Sequence, residues 1–206
     1  MRRSNLVLAG SALALLFVLI CGPARTYTPV PVPAWDYVSG EFPEAPPDLP
    51  DGDRRSFEKG WRNLVEGDLE SAAGELERLE RRHRGNASVE TAVGFLELKL
   101  GDRRAAESRF RTVLESAPTL SAAQVGFVLT ALAEDREEVA FERLLVLEKE
   151  HPEHELVRDY LPDLQLKLAE TKLQSARSFR REKLYEEAAA DYREALRIAP
   201  EVGGLY

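Results

Sequence analysis

Cysteine occurs once in the 206 residues, at Cys21, and histidine three times, at His83, His151 and His154. A lone thiol excludes an internal disulfide framework and a cysteine-based zinc site. Positive charge is also in deficit, with 28 Lys and Arg against 36 Asp and Glu and a formal charge of −8. Loss of an N-terminal segment carrying Arg2 and Arg3 leaves about −10 (−8 minus 2). Nucleic acid and anionic membrane surfaces both require clustered Lys and Arg, so a surface of this sign disfavours them as partners. A nucleophile motif, a phosphate-binding glycine loop and paired carboxylates in a glycine-rich cleft are all missing. The expectation is a non-enzymatic chain without a cofactor or metal. "HPEH", His151 to His154, reads as a solvated corner rather than a ligand pair. In "ERRHR", Glu80 to Arg84, the cations complement the end of a helix.

What is present falls into three stretches. Residues 1–24 begin with Arg2 and Arg3 and continue in an uncharged run from Leu6 to Gly22. That is the pattern of a secretory signal. As a helix this run is roughly 25 Å long, at the short end for a bilayer core of about 30 Å. Three fates stay open: cleavage after Gly22-Pro23-Ala24, retention as a membrane anchor, or lipidation of Cys21. "VLICG" resembles a bacterial lipobox, although Ile20 stands where that motif has a small residue. Each fate places the folded part outside the cytoplasm, in or near the envelope of a bacterium, with membrane contact through the N-terminus only.

Residues 25–52 hold seven of the twelve prolines. Proline fixes φ and removes a backbone donor, so this linker is expected to be extended and stiff, holding the domain away from the membrane. Its aromatics Tyr27, Trp35, Tyr37 and Phe42 leave two further roles open, docking on the adjacent helices or recognition.

From Ser56 the texture is helical, rich in Ala, Leu, Glu and Arg, and it repeats every 34 residues. Gly60 falls on Gly94 and Gly67 on Gly101. Trp61 falls on Phe95 and Leu129, and Leu64 on Leu98 and Leu132. Ala72 falls on Ala106 and Ala140, Leu76 on Phe110 and Leu144, and Pro118 on Pro152. A fixed period of this length marks stacked helical hairpins. A fourth copy, "YEEAAADYREALRIAP", carries Ala188, Tyr192, Ala195 and Pro200, displaced by 14 residues. The third copy has Val128 in place of the glycine, and its turn "AEDREE" contains none.

This skeleton resembles the tetratricopeptide repeat (TPR) family. The resemblance implies an all-α, right-handed solenoid of antiparallel helix-turn-helix repeats over residues 53–200. The repeats are expected at about 53–86, 87–120, 121–153 and 169–202. The inserted segment 154–168 becomes either an added helix broken by Pro162 or a lengthened first helix. Gly60 and Gly94 allow close approach of paired helices, so Gly94→Leu is expected to overpack its hairpin by about 1–3 kcal/mol, read from a melting curve. "PEVGGLY" supplies no capping helix, so the last apolar face is left to a partner, to the segment near Pro162, or to residues beyond a truncated end.

TPR domains present a concave face to protein partners. Phe57, Trp61, Leu64, Phe95, Leu98, Val125, Leu129 and Leu132 form an apolar ladder on the first helices, read either as inter-repeat core or as a partner-binding groove anchored by Trp61 and Phe95. The positions where a carboxylate clamp would place asparagines hold Glu58, Ala92 and Gly126. The expected function is a protein-protein scaffold or adaptor in the cell envelope. A structural or glycan-associated envelope protein, and an accessory subunit of an enzyme complex, are the alternatives.

Overall fold

The computed structural model of the chain describes residues 27–38 and 46–200. Residues 1–24, with the expected signal and Cys21, lie outside the described residues, as do Phe42 and the stretch after Pro200. The described residues contain one 3-10 turn, Trp35–Val38, then eight α-helices and no strand. The helices are α1 (Asp51–Glu66), α2 (Leu69–Arg82), α3 (Ala87–Lys99), α4 (Arg103–Ser116), α5 (Ser121–Ala133), α6 (Glu137–Glu150), α7 (Glu155–Arg181) and α8 (Tyr185–Ile198). Each packs on the next, giving four stacked hairpins. The first helices α1, α3 and α5 also touch one another across hairpins, and theirs is the crowded inner layer.

The hairpins repeat bond for bond. At the four tight turns, the amides of Asp68, Asp102, Arg136 and Leu184 donate to the carbonyls of Asn63, Glu97, Ala131 and Phe179, at 2.8–2.9 Å. The residue before each of these amides has positive φ: Gly67 87°, Gly101 86°, Asp135 56° and Lys183 67°. This left-handed closure satisfies the orphan carbonyls at a helix end, and glycine adopts it without a Cβ penalty. The third and fourth turns therefore keep the geometry after losing the glycine. Asp68 and Asp102 then cap α2 and α4, their carboxylates accepting from Ser71 and Ala105 N–H at 3.1 Å.

Lysine gains nothing from a left-handed backbone, so Lys183→Gly should raise the unfolding free energy by about 0.5–1 kcal/mol. Urea denaturation checks this, and an unchanged or lowered midpoint would refute it.

Small residues sit where the helices cross. A Cβ on Gly60 would lie 2.9 Å from Leu76 Cδ2, and one on Gly94 would lie 2.8 Å from Phe110 Cε1. Ala72, Ala106, Ala140 and Ala188 are all buried. Their amides make equivalent bonds, to the carbonyls of Asp68, Asp102, Arg136 and Leu184. The three alanines at the 34-residue spacing thus share one environment, and Ala188 takes the same place after the 14-residue displacement.

The extra residues before the fourth hairpin do not form a separate element. They lengthen its first helix, so that α7 runs 27 residues with Pro162 inside it. Pro162 lies on the exposed side, where water can serve the carbonyl its missing N–H leaves unpaired.

α5 carries no charged residue, and everything from Ala122 to Ala133 is buried. A helix apolar on all sides needs neighbours on all sides. α5 has them in α3, α4, α6 and the Trp35–Val38 turn.

The proline-rich stretch takes the docking role left open for its aromatics rather than that of a free spacer. Val32, Val38 and Leu49 are buried in the helical core, with Tyr27, Val30, Ala34, Trp35 and Tyr37 packed against it. Alternating prolines hold the stretch extended, while the side chains between them carry enough apolar surface to dock. Helix α1 also begins within the predicted linker, at Asp51.

Candidate partner-binding face

The docked stretch Tyr27–Val38, called the strap below, defines this face. Val30 N–H donates to the Lys99 carbonyl at 2.8 Å, fixing the strap to the end of α3. Prolines at 29, 31 and 33 lack donors. Among the described residues this is the strap's one main-chain hydrogen bond to a helix. Val30 also lies over Gly101, whose absent Cβ would be 3.3 Å from Val30 Cγ1.

Trp35 is the anchor. Its ring meets Phe95 edge to face, with centroids 6.1 Å apart. Lys99 Nζ lies 4.2 Å from the centroid of the same ring. A cation over indole at this distance contributes about 0.5–2 kcal/mol. Burial here pulls the Lys99 ammonium below the ordinary lysine range, and the Asp36 carboxylate opposes that pull. Tyr37 comes within electrostatic reach of Arg158 and Tyr160 on α7. The strap thus runs from the end of α3 onto α5. Asp48, beyond the strap, accepts from Asn86 Nδ2 at 2.9 Å, while Asn86 Oδ1 caps α3 by accepting from Val89 N–H.

All eight ladder residues are buried: Phe57, Leu64, Phe95, Leu98, Val125 and Leu129 at 0%, Trp61 at 1% and Leu132 at 5% exposed. The structure joins them in one cluster. Trp61 meets Phe95 edge to face at 5.3 Å, and Phe95 meets Phe110 at 5.1 Å. These residues are inter-repeat core, and Phe95 is covered by Trp35. The groups facing the strap are Lys99 and Gly101, with α5 beneath its 3-10 turn. Sequence reasoning found Gly101 only as a turn of the repeat and passed over Lys99, which lies outside the repeated pattern. Trp35 itself did carry a signal, as a bulky aromatic within a proline run.

A second feature lies on the flank. Arg109 on α4 is held by Glu97 in a two-pronged pair at 2.7 and 3.0 Å, by Glu80 at 2.8 Å, and by Glu90. Burial works against this charge, and the hydrogen bonds that Arg109 donates to Glu97 and Glu80 overcome it, holding the guanidinium above its ordinary range. The cluster ties α2, α3 and α4 together beside a cavity of about 750 Å³ lined in part by Thr112, Glu115 and Ser116. The remaining motifs serve the helices. Arg82 and His83 pair with Asp53, His151 contacts the Thr119 carbonyl at 3.1 Å, and His154 Nδ1 accepts from Leu156 N–H at 3.0 Å.

No protein-family model matches the chain, and no curated protein does. None of the described helices is long and apolar enough to cross a membrane.

Proposed function

We propose that the chain is a non-enzymatic scaffold of the TPR type, right-handed in its superhelix, exported to the bacterial envelope, where its inner face takes an extended segment of a partner protein. The observation that carries this reading is the strap. Helices α3 and α5 accommodate a proline-interrupted segment, ending in the Trp35–Val38 turn, through one main-chain hydrogen bond and a row of side-chain seats. Helical-repeat arrays use their long continuous surfaces in this way. The 34-residue skeleton supports the family. The leader pattern of residues 1–24 supports export, with lipidation at Cys21 as one route to the membrane.

Cross-linking mass spectrometry on the full chain captured from envelope extract tests the reading. Partner cross-links are expected at Lys99 and Lys167, on α3 and α7. Cross-links confined to α2, α4 and α6 would refute an inner-face partner.

A further inference from the structure

We infer that the seat held by Trp35 is a recognition site for a partner segment in which an aromatic residue is followed directly by an acidic one, and that the strap is its resident competitor. The inference deepens the scaffold reading and rests on it.

The chemistry of the seat sets the ligand. Phe95 offers an aromatic wall to the edge of an indole. Lys99 places its ammonium over the face of the same ring, 4.2 Å from the centroid. An aromatic side chain satisfies both at once, because its rim is electropositive and its face electronegative. The acidic residue that follows supports the Lys99 charge, as Asp36 does in the strap. Upstream, the Lys99 carbonyl takes one amide hydrogen from whatever backbone lies there, a contact blind to sequence. Gly101 leaves room for a branched side chain at Val30.

The strap is built to be exchangeable. Three prolines remove the donors that would zip it to a helix or to an edge. Ala34, immediately before the anchor, has φ of 56°, a left-handed conformation that alanine rarely adopts. The strap therefore binds under local strain that a partner segment with glycine before its aromatic would escape. Trp35 remains partly exposed, so an incoming segment has a ring edge at which to begin displacement.

The test uses a fluorescein-labelled peptide of residues 27–38, titrated by anisotropy into the full chain and its variants. Trp35→Ala frees the seat and is expected to bind the peptide at least tenfold more tightly than the wild type. Adding Lys99→Glu should abolish that gain. Ala34→Gly relaxes the resident strap and should weaken peptide binding severalfold. It removes one methyl group and leaves the Trp35 ring in place, so it serves even if Trp35→Ala unfolds. Equal affinity in wild type and Ala34→Gly, or no peptide binding to a Trp35→Ala chain of native helical content, overturns the inference. So does a wild-type dimer in sedimentation that dissociates on Trp35→Ala, since a second copy would then be the occupant. A partner cross-linked to the inner face, with the peptide failing to bind, removes the inference and leaves the scaffold reading. Peptide binding with no inner-face partner removes the scaffold reading and leaves the seat.

Discussion

Replacing Phe95 with alanine is expected to lower the unfolding free energy by about 4 kcal/mol, near the upper end for a buried aromatic. Phe95 is fully buried and meets three other rings, Trp35, Trp61 and Phe110, edge to face at 6.1, 5.3 and 5.1 Å. The truncation removes the apolar area and breaks three pairs at once, each contributing about 0.5–1.5 kcal/mol beyond its area. A folded chain of this size commonly has only about 5–15 kcal/mol in hand, so the loss is a large fraction of the whole. Trp35 and Trp61 are the two tryptophans of the chain, and both flank Phe95, so the intrinsic fluorescence of the native state should change as well. Urea denaturation followed by circular dichroism gives the energy. A loss below about 2 kcal/mol would mean that Phe95 is not the node described here.

The second large effect is expected at Gly126, on α5. A Cβ there would lie 2.3 Å from both Cε1 and Cζ of Phe110. The ring has no retreat, because a Cβ on Gly94 would already be 2.8 Å from the same ring. Phe110 is thus held between two glycines, one in its own hairpin and one in the next. Gly126→Ala gains about 1 kcal/mol of helix propensity and loses more to overpacking, for a net destabilisation of about 2 kcal/mol. Gly74 on α2 is the control, since nothing lies within 4 Å of its Cβ position. Gly74→Ala should stabilise by about 0.5–1 kcal/mol. A double-mutant cycle with Phe110→Leu identifies the clash, and the expected coupling between positions 110 and 126 is at least about 1 kcal/mol. Additive changes would show that the ring does not transmit the strain.

These two sites show unequal legibility. Gly94 stands at the repeat position of Gly60, and its contact with Phe110 follows from the phase of the repeat. Gly126 stands two residues before the phased position, which Val128 holds. It serves the crossing between hairpins rather than the one within a hairpin, and a 34-residue register says nothing of that crossing. The third and fourth turns are similar cases. Asp135 and Lys183 adopt the backbone of Gly67 and Gly101 because the packed helices on either side fix where the chain must reverse. Arg109 read as one more surface cation of a helical stretch, and only the stacking of α2, α3 and α4 brings Glu80, Glu90 and Glu97 around it.

The candidate partner-binding face was the least legible. Periodicity shows an apolar ladder from Phe57 to Leu132 but not whether it faces a neighbour or a groove. A buried side chain in a repeat and a ligand-contacting one have the same residue type at the same spacing.

Residue order along the chain by itself determined the all-helical composition, the four hairpins, their 34-residue register and the 14-residue displacement of the last. These depend on interactions within one hairpin or between adjacent ones, and such interactions leave a periodic mark. The tertiary structure alone decided that the proline-rich segment lies against α3 and α5, with Trp35 wedged between Phe95 and Lys99. That contact joins residues some sixty positions apart in sequence. Its stability comes from the shape and charge of a surface that exists only after the hairpins have stacked.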